Sequence, residues 1–493
     1  MNRKNIRYLW LIIATILGLF IGGKWNIPLA AWVTPIFAMR FFRESEKIGY
    51  NFFFLWLSTA IPTIIAWKGA TFFPSIIEAL SFLLLAPVSL IPYVLDRIYY
   101  RRFGSTAWHT FVFPIVATAV DFLVSGDSPV GTFGAMAYSQ RGFLSVMQLA
   151  SIAGIWGIAF LINWFASLIN HLWDSEFKFT RLSVTFTCLL AISIGFGFVR
   201  TLFQTQPEHT ANIAGFSLPN GKMPDLIAQL QSGDEVGFRQ SVDELHTQQL
   251  NLIIKLADAG ADIVSLQEGA GLGLTEQVEK LIVEASAIAI EKDIYIVLPT
   301  LDLQKTPAEN IVHIIAPTGT VVLTHTKYGG NSFEGTLKGD GILKSIETPY
   351  GKMSAVICWD ADFPSIIKQA GEQNIDLLFI PAQDWLEVRD IHAGMSVFRA
   401  VENGMTIFRQ TGQGVSNVND AYGNQYNRVD SFAEETEDFA SVQIIQTPIG
   451  SVNTIYPTIG DILGTIMLVG MLVLVIGLWV TRKKEIVLKP SFT

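Results

Sequence analysis

Two cysteines, seven histidines and a charged fraction of 16% in 493 residues put several classes of protein out of reach. Two thiols cannot staple a small secreted scaffold. Neither H-E-x-x-H nor C-x-x-C occurs among the scattered histidines and cysteines, so the sequence offers no metal motif and points to no metal and no cofactor. Basic residues are scarce where they would matter for nucleic acid: residues 205–460 hold 15 Lys and Arg against 33 Asp and Glu. A surface so acidic does not neutralise phosphates, which excludes nucleic-acid binding through that region. Low charge does not mean disorder here, because half of the chain is apolar and the mean hydropathy is +0.39, far too hydrophobic for an unfolded chain.

What is abundant is long apolar runs. A helix crossing a bilayer needs roughly 20 apolar residues, and candidate spans fall at about 8–23, 27–40, 49–67, 71–95, 106–124, 143–172, 183–203 and 460–481. No small-residue cleavage site precedes Lys24 and Trp25, so the first run reads as a retained helix rather than a signal peptide. With the N-terminus in the cytoplasm, Arg3, Lys4, Arg7, Arg40, Arg43, Lys47, Arg97, Arg101, Arg102, Lys178, Arg181, Arg482, Lys483, Lys484 and Lys489 all lie inside. The outside edges of the spans hold only Lys24, Lys68, Arg141 and Arg200. This positive-inside pattern predicts a multi-pass bundle of eight spans: residues 1–204 carry seven, 205–456 form an extracytoplasmic domain, and 457–493 hold the last helix and a cytoplasmic tail. A site in that domain works where ATP and NAD are not at hand. Glu78, His109 and Asp121 fall within the apolar runs, where ionisable groups are candidate functional sites, but pairing inside the bundle or lying near the interface explains each better. The Gly-rich stretch 131–140 is too polar to span and reads as an outside loop near the extracytoplasmic domain, where it would line an entrance.

From residue 211 the pattern shifts to short strands alternating with amphipathic helices. Strands are expected at 211–218, 261–267, 293–300, 310–316, 321–326, 352–358, 375–381, 405–411 and 414–419. Over 274–291, Val278, Leu281, Ile282, Ala285, Ile288 and Ala289 repeat at helical spacing. Nine strands with about four helices predict an α/β layered sandwich.

Three strand ends carry reactive groups: Glu268 after 261–267, Lys327 after 321–326, and Cys358 after 353–357. A carboxylate can take the thiol proton as the sulfur attacks a carbonyl, while an ammonium and a backbone N–H stabilise the oxyanion. Cys188 lies in the seventh apolar run, so Cys358 has no thiol partner in its own domain. By spacing alone it is equally a small hydrophobe closing a core strand or a nucleophile. Gly269-Ala270-Gly271-Leu272-Gly273 lacks the G-x-G-x-x-G spacing of a dinucleotide site and reads as a turn holding Glu268. Arg399 and Glu402, one helical turn apart, read as a structural ion pair, and His325 and His392 as hydrogen-bonded structural groups.

Glu268, Lys327 and Cys358, in that order and at these intervals, resemble the triad of the carbon–nitrogen hydrolase (nitrilase) superfamily, as do Ile380-Pro381-Ala382-Gln383-Asp384-Trp385 and Phe398-Arg399-Ala400-Val401-Glu402-Asn403-Gly404. The resemblance covers roughly 210–450 and implies a four-layer αββα sandwich. The whole layout of seven helices, a nitrilase-like domain and a closing helix, with Gln148–Gly157, is similar to the bacterial apolipoprotein N-acyltransferase family. It departs from the family at Gln267-Glu268, where a Pro-Glu pair is usual, and at Cys358-Trp359-Asp360, where Cys-Tyr-Glu is usual. Glu334 is the nearest stand-in for that family's second carboxylate, one residue closer to the lysine than expected. The resemblance implies catalysis by Glu268, Lys327 and Cys358. The acyl donor would be a phospholipid and the acceptor a diacylated lipoprotein, at the bilayer of a bacterial cytoplasmic (inner) membrane. Rival readings are an outward-facing, membrane-anchored amidase or nitrilase acting on a small amide, and a catalytically dead scaffold, which an intact triad argues against.

Overall fold

The computed structural model describes residues 3–126, 128–205, 207, 209–436 and 438–487. The basic tail residue Lys489 and the terminal Thr493 lie outside the described residues. Two compact units divide the chain. One comprises the chain up to 126, residues 134–199 and the chain from 459; the other comprises 200–458 together with a detached hexapeptide, 128–133.

The first unit is helical. Six of its helical stretches are long and apolar enough to cross a membrane: Ile48–Ala66, Ser75–Phe103, Trp108–Gly126, Ala150–Asp174, Arg181–Leu202 and Ile462–Thr481. The first two expected spans are helices of 16 residues each, Arg3–Gly18 and Pro28–Arg43. At 1.5 Å per residue they reach about 24 Å, short of a hydrocarbon core of about 30 Å. The ionisable groups in this unit are engaged structurally. Glu78 accepts from the Gly69 and Thr71 backbone N–H groups and the Thr71 hydroxyl at 2.8–3.0 Å, and Asp121 accepts from Met136 N at 3.1 Å. His109 lies 3.2 Å from an Asp96 carboxylate oxygen. That carboxylate is held by both arms of buried Arg43 at 2.7 Å, a pair not anticipated from the sequence.

The second unit is built on two sheets. In the first, strands lie in the order Ala440–Ile449, His209–Ser217, Ile263–Leu266, Tyr295–Asp302, Glu309–Ile315, Val321–Thr326, with Gly271–Gly273 also paired to Tyr295–Asp302. The second runs Gln425–Asp430, Val415–Asn419, Thr406–Arg409, Leu377–Phe379, Gly351–Ala355, Ile346–Thr348. Alternate residues of a strand face opposite sides, and here both sides are buried. Ile213, Ile263, Val297 and Ile314 of one sheet meet Met353, Ala355, Leu377 and Phe408 of the other. Their neighbours Val264, Leu266, Ile296 and Leu298 face outward onto helices Glu235–Asp258 and Thr275–Lys292. Leu378 and Ile407 likewise face Pro364–Glu372 and Arg389–Asn403. The layers are therefore α, β, β, α.

The structure corrects the reading of the strands in two places. The segment after Glu268 is a turn followed by a short strand, Gly271–Gly273, rather than a turn alone. Ile346–Thr348, Ala382–Gln383, Gln425–Asp430 and Ala440–Ile449 were not anticipated as strands. Ala382–Gln383 pairs with Thr411–Gly412 apart from the two main sheets; the other three are edge strands, and Ala440–Ile449 tolerates Pro448 because an edge position needs fewer N–H donors.

Candidate active site

Each of the three reactive side chains follows a strand, fully buried only in the case of Ile263–Leu266. Glu268 lies just beyond Ile263–Leu266, Lys327 directly follows Val321–Thr326, and Cys358 comes after Gly351–Ala355 at the start of a short 3-10 turn, Cys358–Asp362. The structure brings the three together and adds Glu334. The Lys327 ammonium, fully buried, sits 2.5 Å from Glu268 Oε1 and 2.5 and 2.7 Å from the two oxygens of Glu334. Glu334 reaches it because the single helical turn Asn331–Glu334 folds the chain back. The Asn331 amide, donating to Lys327 O and Leu337 O, fixes that turn.

Glu268 is aimed by its partners. Oε1 also accepts from the Asn310 side chain at 2.7 Å, and Oε2 accepts from the Gln383 N–H at 3.0 Å. The Gln383 carbonyl in turn faces Cys358 Sγ at 3.6 Å, so one residue holds both carboxylate and thiol. Cys358 has φ = +46°, a left-handed conformation that costs energy for any residue but glycine and recurs at functional sites. Its N–H donates to Pro381 O at 2.9 Å.

The electrostatics fit a thiol that is protonated at rest. Burial, with Glu268 close by, pushes the Cys358 thiol well above its ordinary value, and Lys327 offsets this only in part. Burial alone would lower Lys327, but Glu268, Cys358 and Glu334 outweigh it and raise the ammonium's pKa. Burial and the negative charge of Glu268 push Glu334 up to about 7 against the pull of Lys327. Glu268, which shares the ammonium and is bonded to Gln383 N–H, is the carboxylate placed to take the thiol proton as the sulfur attacks.

Asp360 was not singled out as a site residue, yet it ties the site together. Its fully buried carboxylate accepts from Tyr328 N and Gly329 N, just after the lysine, at 2.8 and 2.7 Å. It also accepts from Ile357 N, just before the cysteine, at 2.9 Å, and from His325 Nε2 at 2.7 Å. One carboxylate thus sets the separation of the Lys327 and Cys358 loops. Asn310 and Gln383 were missed as well. Asn310 is a buried polar residue in a strand that also carries Glu309 and His313, and Gln383 lies within the resemblance-bearing stretch after Ile380.

Residues 227–437 match the carbon–nitrogen hydrolase family. This part of the chain is a carbon–nitrogen hydrolase domain. Among solved structures, a mutant of the Nesterenkonia AN1 amidase from the nitrilase superfamily is 15% identical, with 50% of this chain and 92% of that one covered at a TM-score of 0.38. Nit3 of Saccharomyces cerevisiae, a member of branch 10 of the nitrilase superfamily, is 17% identical over 52% and 95% of the two chains, again at 0.38. No curated protein matches the chain.

A second buried cluster of the hydrolase domain follows Gln383. Both carboxylate oxygens of Asp384 accept from Arg409 Nη2 at 2.9 Å, and His392 Nδ1 lies 2.9 Å from Oδ1. Burial would raise this carboxylate, but Arg409 and His392 outweigh it and hold it below the usual range. Asp362, at the end of the turn that Cys358 begins, lies 3.6 Å from His392 Nε2 and is pushed up to about 6 by burial. Arg399 and Glu402 form a fully buried ion pair at 2.6 Å, as their spacing predicts, and His325 and His392 are hydrogen-bonded to carboxylates.

Proposed function

We propose that the chain is a membrane-bound N-acyltransferase working through a Cys358 thioester. Glu268 takes the thiol proton as Sγ attacks the ester carbonyl of a phospholipid. Lys327 stabilises the oxyanion, and collapse expels the lysophospholipid alkoxide, which leaves with the proton from Glu268. The free α-amine of a diacylglyceryl-modified N-terminal cysteine on a lipoprotein then attacks the thioester. Its proton passes through Glu268 to the departing Cys358 thiolate as the amide forms, closing a ping-pong cycle. Glu334 holds the ammonium from the other side. In this reading the chain crosses a bacterial cytoplasmic membrane eight times, including the two 16-residue helices, with the hydrolase domain outside and its substrates confined to the same bilayer.

The observation that carries the proposal is the union, in one chain, of this thiol–carboxylate–ammonium site with six helices long enough to span a membrane. Hydrolysis of a water-soluble amide requires no such helices. The carbon–nitrogen chemistry in the matching family's name favours a second reading, in which water is the acceptor and the substrate is a small amide. Turnover separates them. The purified chain, supplied with phosphatidylethanolamine and a diacylated lipopeptide bearing a free α-amine, is expected to yield a triacylated lipopeptide and lysophospholipid in equal amounts. Ammonia release from small amides without lipopeptide acylation overturns the proposal in favour of the amidase.

A further inference from the structure

The hexapeptide Ser128-Pro129-Val130-Gly131-Thr132-Phe133 lies in sequence between helices of the helical unit, yet it belongs to the compact unit that holds the active site. Its attachment is specific. The Thr132 N–H and hydroxyl both donate to the Asp362 carbonyl at 2.8 Å, and Thr132 is 2% exposed. Gly131, at φ = +56°, approaches so closely that a Cβ there would lie 2.4 Å from the same carbonyl oxygen, where only glycine fits. Phe133 sets its ring edge-on to His392 with centroids 5.2 Å apart. Val130 packs against the intersheet cluster that contains Cys358 and Trp359.

Both anchor points lie next to groups that place the nucleophile. Asp362 ends the 3-10 turn that begins at Cys358. His392 binds Asp384, the neighbour of Gln383, whose N–H holds Glu268 and whose carbonyl faces the thiol. A carbonyl taking two donors at once, beneath a glycine that leaves no slack, fixes the far end of the turn whose near end carries φ = +46°. We infer that Ser128–Phe133 is a positioning segment of the active site: through Asp362 and His392 it holds Cys358 in the orientation that Glu268 and Lys327 require. Reactivity of the thiol therefore depends on residues outside the 205–456 span. This inference rests on the nucleophile reading of Cys358 but not on the identity of the substrate.

The test uses the full-length chain in detergent with Cys188→Ala, so that Cys358 is the one thiol, and measures its alkylation rate by iodoacetamide from intact mass. Thr132→Val keeps the shape and removes the hydroxyl bond, and it is expected to slow alkylation about tenfold, the scale of a small misplacement at a reacting centre. Thr132→Ser restores the donor and is expected to restore the rate to within about twofold. Gly131→Ala should be slower still. Gly142→Ala supplies the backbone control, because Gly142 has φ = +84° and an added Cβ there meets nothing within 4 Å; its alkylation rate should be native. A purely structural tie would lower the unfolding midpoint of Thr132→Val and Thr132→Ser unequally yet leave both alkylation rates native, and that result overturns the inference. Equal slowing in the serine and valine variants also overturns it. If Glu268→Gln in the parent chain leaves the alkylation rate of Cys358 native, the nucleophile reading falls and takes the inference with it; a base-dependent parent with indifferent variants refutes the inference alone.

Discussion

Asp360→Asn is the most informative single change in the site. Each carboxylate oxygen of Asp360 accepts two bonds, one from Tyr328 N and Gly329 N, the other from Ile357 N and His325 Nε2. Turned toward Tyr328 and Gly329, an asparagine NH2 group faces two N–H donors and satisfies neither; turned toward Ile357 and His325, it can keep His325 through the other imidazole tautomer but still loses Ile357. Hydrogen bonds to charged groups contribute about 1.5–3 kcal/mol each, so losing one or two costs roughly 1.5–6 kcal/mol. Since about 1.4 kcal/mol is a factor of ten in rate, the smallest of these losses, expressed as displacement of the Lys327 and Cys358 loops, slows the thiol roughly tenfold. The assay is the iodoacetamide reaction of Cys358 together with the thermal unfolding midpoint. The expected outcome is a clear fall in both. An Asp360→Asn chain with native alkylation and native melting would refute the argument that this carboxylate sets the site's geometry.

Glu334 gives a prediction in pH. Its pKa is raised from 4.5 to about 7 in the folded chain, so between those values the folded state holds a proton that the unfolded state has lost. The stability this provides is fully present below about pH 4.5 and is lost as pH rises through 7. Glu334→Gln should therefore flatten the decline in unfolding midpoint between pH 5 and 8, and a slope identical to the native one would contradict the assignment. The two short helices give a prediction in topology. With Cys188→Ala and Cys358→Ala in place, a cysteine substituted at exposed Lys24, between Arg3–Gly18 and Pro28–Arg43, should react with a membrane-impermeant maleimide added outside the cell. Protection of that cysteine until the membrane is permeabilised would mean that the first two helices do not cross.

The sequence made legible those parts of the site that hang from buried strands. Ile263–Leu266 and Gly351–Ala355 stand between two packed layers, so they read as apolar runs, and the first reactive residues beyond them, Glu268 and Cys358, stand out. Glu334 was reachable only through resemblance, because the turn that folds it onto Lys327 depends on Asn331 bonding to carbonyls on both sides. Asp360 was hidden for a different reason. In the run Asp360-Ala361-Asp362 it looks like the acidic start of a helix, and its four donors come from two segments about thirty residues apart in sequence. Edge strands were lost because polar stretches such as Gln425-Tyr426-Asn427-Arg428 carry no burial signal on either face. Of the hexapeptide 128–133, residues 131–133 read as the start of an outside loop near the domain, but their tie depends on Asp362, more than two hundred residues away. Apolar runs alone do not give helix length: the first two runs form helices of 16 residues each, Arg3–Gly18 and Pro28–Arg43, and neither is among the six stretches long and apolar enough to cross.

The central claim is that Cys358 carries the acyl chain. Intact-mass measurement of the purified chain after incubation with phosphatidylethanolamine alone tests it directly. The account predicts the added mass of one fatty-acyl group, located on Cys358, removed by hydroxylamine and absent from Cys358→Ala. A native chain that gains no acyl mass, or a Cys358→Ala chain that gains the same mass, would contradict it.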